Sequence, residues 1–276
     1  MRSRNFWVQA LGLALTVTVA ACGGGSEAPK PLDLGAGGGA APAAPAGGGP
    51  AQTIDPATAA TVKGVVTITG TAPKNEPIRM NADPVCVKEA KGNVTQETYM
   101  VGADGKSIAN VFVYVKDGLS GSFPAPTTPA KLDQVGCRYH PHVFGVQVGQ
   151  PLEILNSDPT LHNIHATPKN NQEFNNGQPI QGMKTTQTFK AKEVMVPFKC
   201  DVHGWMNAYV AVLDHPFFAV TDAEGKFEIK GLPAGTYTLE AWHEKLGAVT
   251  QSVTVAAKDS KDVNFSLTVG APAATN

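Results

Sequence analysis

The sequence predicts an all-β protein, two sandwiches behind a disordered N-terminal tether. Three observations carry this reading. From Thr61 onward, short β-branched and aromatic runs alternate with Gly, Pro, Asn and Asp. No segment sustains a 3.6-residue apolar period. Glycine and proline are abundant, 29 and 21 of 276 residues, and unevenly spread: ten Gly, five Pro and seven Ala fall within 23–50. Such a stretch cannot bury enough apolar surface to offset its ordering entropy, so residues 22–60 are expected to be a flexible tether. About 215 residues remain, enough for two cores of small-domain size.

Taken in order, alternating runs mark strands at 64–70 and 110–115, then at 143–148, 151–156, 185–189, 194–200 and 208–213. Phe227 to Ile229 alternates, Gly231 to Gly235 turns, and Tyr237 to Ala241 alternates again. The last strands are expected at 252–256 and 263–269. A formal net charge of −1 without long runs of one sign argues against nucleic-acid binding. Beyond the N-terminus no stretch approaches the length of a membrane-spanning helix.

The chain opens with Arg2 and Arg4, an apolar run from Leu11 to Ala21, and Cys22. A charged start, a short apolar region and small residues at its end read as an export signal over 1–21. Val19-Ala20-Ala21-Cys22 resembles the lipobox of bacterial lipoproteins, which implies acylation of Cys22 and a cell-envelope location. Gly23 after the cysteine is similar to an outer-membrane address in a Gram-negative cell, with the body of the protein in the periplasm. About 38 tether residues would give a root-mean-square reach of roughly 35 Å. Lipidation leaves Cys86, Cys137 and Cys200 in an oxidising compartment, an odd number, so one thiol is spare.

Val220 to Phe227, continued by Gly-Thr-Tyr-Thr-Leu at 235–239, resembles the carboxypeptidase regulatory-like (transthyretin-like) sandwich. This stretch supplies about five of the seven strands such a sandwich needs. The Lys63–Gly70 and Asn110–Val115 strands resemble the missing first two. A discontinuous domain, 61–118 plus 216–270, is therefore expected, with a second domain at 131–214 inserted into it. The alternative is a tandem arrangement with 61–214 in one sandwich.

Cys200-Asp-Val-His203-Gly-Trp-Met206 stands between two strands. A thiolate, an imidazole and a thioether within seven residues suit a soft metal such as copper. The set lacks a second imidazole, and the run Leu-His162-Asn163-Ile-His165 after the 151–156 strand supplies it. These motifs, with Phe144 to Asn156 before them, resemble a cupredoxin with an amicyanin-type short ligand loop and a Greek-key sandwich. The resemblance implies one type 1 copper ion held by His162, Cys200, His203 and Met206, with His165 a non-ligand neighbour. It also implies that the Asn163 backbone steadies the thiolate by hydrogen bonding. His203 is expected to show its far ring edge at the surface as an electron exit, with Gly204 and Trp205 as an apolar docking face for redox protein partners.

Cys137 is expected to pair with Cys86; a bond from Cys200 to either one is the competing arrangement. His140 and His142 fall at the same end as His162, where they can flank the metal site, bind a second ion or be solvated loop residues. His215 and His243 are expected to be structural, and Trp242 a core residue. Seven histidines and one ligand-loop cysteine argue against an oxidase and against a dinuclear purple site. The expected function is membrane-anchored single-electron transfer, not enzymatic conversion. The alternatives are a copper buffer or delivery lipoprotein, and a surface scaffold with a structural copper site.

Overall fold

The computed structural model describes residues 51–270. The chain runs through β1 (Ala60–Thr69), α1 (Pro84–Glu89), β2 (Phe112–Asp117), β3 (Ala130–Gln134), β4 (Tyr139–His140), β5 (Val143–Gln147) and β6 (Pro151–Asn156). It continues with β7 (His162–Ala166), β8 (Phe174–Gln178), β9 (Lys184–Thr188), β10 (Glu193–Lys199) and β11 (Asn207–Leu213). The remaining strands are β12 (Phe218–Val220), β13 (Lys226–Leu232), β14 (Gly235–His243), β15 (Gly247–Val255), β16 (Ser260–Asp262) and β17 (Phe265–Thr268). Among the described residues the protein is all-β apart from α1. The expected export signal, the expected lipidation at Cys22 and the expected tether up to residue 50 lie outside the described residues. No helix among the described residues is long and apolar enough to cross a membrane.

Four sheets form, in two pairs. In the first pair β1 is central, antiparallel to β13 and parallel to β16 and then β17, while the facing sheet runs β12-β2-β14-β15. Both sheets thus join strands from before residue 118 to strands from after residue 217. The second pair is β5-β11-β10-β7-β8 against β4-β3-β6-β9, all from the intervening chain. Each pair encloses an apolar core. Val62, Val66, Val113, Ile229, Leu239 and Phe265 belong to the first; Leu132, Val146, Ile154, Ile164, Phe198 and Val210 belong to the second.

Burial explains the patterns. β6 and β13 cover a core on one face only, and their residues alternate in burial. β2 is buried at Phe112, Val113, Tyr114 and Val115 because its sheet is covered on both faces. Val113 and Val115 enter the first core, while Phe112 and Tyr114 pack with Val143, Leu213 and Trp242 in a third cluster. At that seam β5 approaches so closely that a Cβ on Gly145 would lie 2.5 Å from the Phe218 ring.

Two features differ from the sequence reading. Residues 51–59, assigned to the tether by composition, contact the first sandwich: the Gln52 amide donates to the Ser122 carbonyl at 2.7 Å, and Ile54 packs on the core. The second is α1, a single helix of six residues, too short to display a period. It starts because Asp83 caps it, accepting from the Val85 and Cys86 amides, and because Pro84 suits the first turn.

Candidate metal centre

β7 and β10 are antiparallel neighbours, with Lys199 opposite His165 and Phe198 opposite Ala166. β10 and β11 pair up to Lys199 and Asn207, so residues 200–206 must close a tight loop. The Cys200 amide donates to the Met206 carbonyl at 3.3 Å, and the Met206 amide to the His203 carbonyl at 2.9 Å. Inside the loop the His203 amide donates to the Cys200 sulfur at 3.3 Å. These bonds fold the Cys200, His203 and Met206 side chains inward. All three are buried, Cys200 and Met206 among the side chains of the second core.

His162 opens β7 and meets this loop. Its Nδ1 lies 2.9 Å from His203 Nδ1, and Cys200 Sγ lies 3.9 Å from that same nitrogen. One ligand atom from each of His162, Cys200 and His203 falls within 4.8 Å of the others. His165 faces outward, its ring between Asp201 and Glu173. Asn163 Oδ1 stands 3.2 Å from the Cys200 sulfur and accepts from the Asp201 amide at 2.7 Å. Its backbone also favours the Cys200 thiolate by hydrogen bonding.

The electrostatics identify what the pocket wants. Both Nε2 atoms are taken by carboxylates: His162 Nε2 is 2.9 Å from Asp158 Oδ2, and His203 Nε2 is 3.0 Å from Asp83 Oδ2. Two Nδ1 lone pairs facing at 2.9 Å would repel, so a proton or a cation must lie between them. In the metal-free pocket the sulfur can give up that proton. Burial opposes a Cys200 thiolate, yet hydrogen bonds from His162 and His203 and from two backbone groups overcome it, and the thiol falls to about 6. Burial likewise disfavours charge on His162, but its bonds to Asp158 and Cys200 hold its pKa above the ordinary value. A soft cation would replace this proton, with two imidazole nitrogens and a thiolate at hand and Met206 buried in the same core. The donor set fits copper.

The cysteines pair as Cys86 with Cys137, and Cys200 is a free, buried thiol. The expected surface exposure of His203 is overturned. That residue is 3% exposed, because the chain between β1 and β2 lays α1 across it. Asp83 bonds its Nε2 as well as Thr160 Oγ1, and Cys86 Sγ sits 3.6 Å from the same ring nitrogen. Gly204 is exposed and its added Cβ would meet nothing, but Trp205 is half-buried. The indole donates to the Cys137 carbonyl at 2.9 Å, and its ring centre lies 5.0 Å from that of His203.

His142, His215 and His243 stand apart from the His162–Cys200–His203 cluster. His142 is buried, with Nε2 2.6 Å from Glu244 Oε1 and Nδ1 3.1 Å from the Asn207 carbonyl. His215 accepts from the Phe217 amide, and His243 from the Lys245 and Leu246 amides. Trp242 is buried in the seam cluster. Sequence reasoning missed Asp158 and Asp83. Asp158 precedes His162 by four residues in Ser-Asp-Pro-Thr-Leu-His, a readable proximity; Asp83, in Asp-Pro at a helix start, signals only a cap.

Fold and pocket together define an all-β protein with a buried cluster of two histidines and a free cysteine. Residues 205–268 match the model of the carboxypeptidase regulatory-like domain. That match begins in the loop ahead of β11 and ends at the close of β17. Among curated proteins none matches the chain. Among solved structures the chain is similar to cupredoxins. A copper-containing nitrite reductase from Thermus scotoductus shares 19% identity over 37% of this chain and 26% of its own, with a TM-score of 0.30. The chain thus spans about a quarter of that reductase. A purple cupredoxin from Nitrosopumilus maritimus shares 21% over 30% and 98%, with a TM-score of 0.27. A mutant amicyanin in its Cu(I) form shares 20% over 30% and 81%, with a TM-score of 0.28.

Proposed function

We propose that this protein is a one-electron carrier with a single type 1 copper ion held by His162, Cys200, His203 and Met206. The observation that carries the reading is the convergence of two Nδ1 atoms and one thiol sulfur inside a buried pocket. Copper bound there would supply reversible chemistry between its +1 and +2 states. The chain contributes rigidity: the loop bonds fix Cys200 and Met206, the strand fixes His162, and the surrounding core excludes water. Burial under α1 and the Cys86–Cys137 bridge supports retention of the ion over its exchange, and so disfavours a delivery role. Trp205, half-buried beside the covered His203, offers the electron a path to redox protein partners.

The same reading puts the protein in the cell envelope, lipidated at Cys22 and tethered so that the carrier domain can move between partners. It assigns 61–118 and 216–270 to one sandwich and 131–214 to the copper-binding one. The test is the optical and EPR spectrum of the copper-loaded full chain beside Cys200→Ser. An intense thiolate-to-copper band that survives repeated reduction and oxidation, and vanishes in the variant, is the expected result. A colourless protein, or a band unchanged by the substitution, overturns the reading.

A further inference from the structure

The two imidazoles of the pocket are held in the same way by unrelated parts of the chain. Asp158, in the loop before β7, stands behind His162. Asp83, at the cap of α1, stands behind His203 from 120 positions away. Each carboxylate meets the ring at Nε2, opposite the nitrogen turned toward the other imidazole. Both acids are themselves fixed. Asp158 accepts from the Gly136 amide at 2.8 Å and the Cys137 amide at 2.7 Å. Asp83 accepts from the Val85 amide at 2.8 Å, the Cys86 amide at 3.4 Å and the Thr160 hydroxyl at 2.9 Å. The amides of Cys86 and Cys137 thus each bond one of the acids, and the disulfide ties the two anchors to each other.

We propose that Asp83 and Asp158 are positioning residues that lock both metal-binding imidazoles from behind and bias the bound ion toward its higher charge. The inference rests on the copper reading for the ion and on geometry alone for the rings. A ring bonded at Nε2 to a carboxylate has one orientation and keeps its Nε2 hydrogen, which leaves Nδ1 for the metal. Carboxylate partners also make imidazole a stronger donor. Two negative charges behind a thiolate site favour the doubly charged ion over the singly charged one. His203 would then stay seated in both oxidation states, because leaving the metal would require breaking the Asp83 bond under α1.

The test uses the full chain and two kinds of variant, because an asparagine keeps an acceptor oxygen while removing the charge. In the metal-free protein, ¹⁵N-edited NMR should show exchange-protected Nε2–H resonances for both His162 and His203. Asp158→Ala should abolish the first and Asp83→Ala the second. Copper binding to either alanine variant should weaken about 10- to 100-fold. In copper-loaded protein, Asp83→Asn and Asp158→Asn should raise the reduction potential while keeping the band. Rapidly exchanging Nε2–H protons in the native metal-free protein, or asparagine variants with the native potential, overturn the proposal. If an alanine variant fails to fold, the asparagine pair decides. A native protein that shows both protected protons yet takes up no copper supports the ring lock and overturns the copper reading instead.

Discussion

Cys200 does three things at once in the 200–206 loop. It follows the last residue of β10, accepts a hydrogen bond from the His203 amide, and carries a thiol lowered to about 6 against the opposition of burial. Met206 closes the loop from the other side, buried at 1% exposure. As one more electron donor to the ion it would favour the oxidised state, which needs donated charge more than the reduced one does, so Met206→Leu should keep copper and raise the reduction potential. Voltammetry of the two proteins checks this; equal potentials would argue against a sulfur ligand at 206. That Cys200, His203 and Met206 share one loop was legible in the sequence because strand periodicity on both sides of a short gap forces them together. The acids were not. Asp83 touches His203 through a tertiary contact that no local pattern encodes, and an Asp before Pro reads only as a helix cap.

Among the elements, α1 alters the expected picture most. Its six residues, with Cys86 buried on the inner side and Val87 exposed on the outer, cover an imidazole that the ligand loop alone would leave open. β3, β4, β7, β8, β12 and β16 fall outside the strands expected from sequence, and for β8 and β16 the cause is plain. β8 is Phe-Asn-Asn-Gly-Gln at a sheet edge, and β16 is three exposed polar residues, so neither shows the apolar alternation that identifies β6 or β13. What holds α1 in place is the bond from Cys86 to Cys137, which closes a loop of 51 residues. Chain entropy assigns such a closure about 4 kcal/mol. The double variant Cys86→Ser and Cys137→Ser should therefore lose up to about that much in urea unfolding. Copper should also leave the reduced protein faster to a competing chelator, since the cover over His203 is loosened. Unchanged release with lowered stability would confine the bridge to a structural role.

Across the whole molecule, buried histidines away from the His162–Cys200–His203 cluster shape how stability depends on pH. His215 and His243 are pushed by burial to about 4, and neither Nε2 has a hydrogen-bond partner among the described residues. Their contribution is complete above the ordinary value of 6.5 and is lost as pH falls toward 4, because the unfolded chain takes up protons that the fold refuses. His142 has the opposite sign. Burial alone would lower it, but the Glu244 carboxylate outweighs burial and raises it, so its contribution is complete below 6.5 and fades as pH rises through the elevated value. Glu244, lowered by His142 against burial, adds stability above 4.5 that is lost as pH falls through its depressed value. These groups together place the stability maximum near pH 6.5, with the steeper side toward acid. Between there and about pH 5, His215 and His243 should each cost about 1.5 kcal/mol. Urea midpoints measured across that interval should fall in the native protein and fall less in the His215→Phe, His243→Phe double variant, where His140, also lowered by burial, keeps part of the slope. On the alkaline side, His142→Gln should lessen the decline that the native protein shows, the rest coming from His162 and His165, which carboxylates also raise; a slope unchanged in that variant would exclude the His142–Glu244 pair as a source.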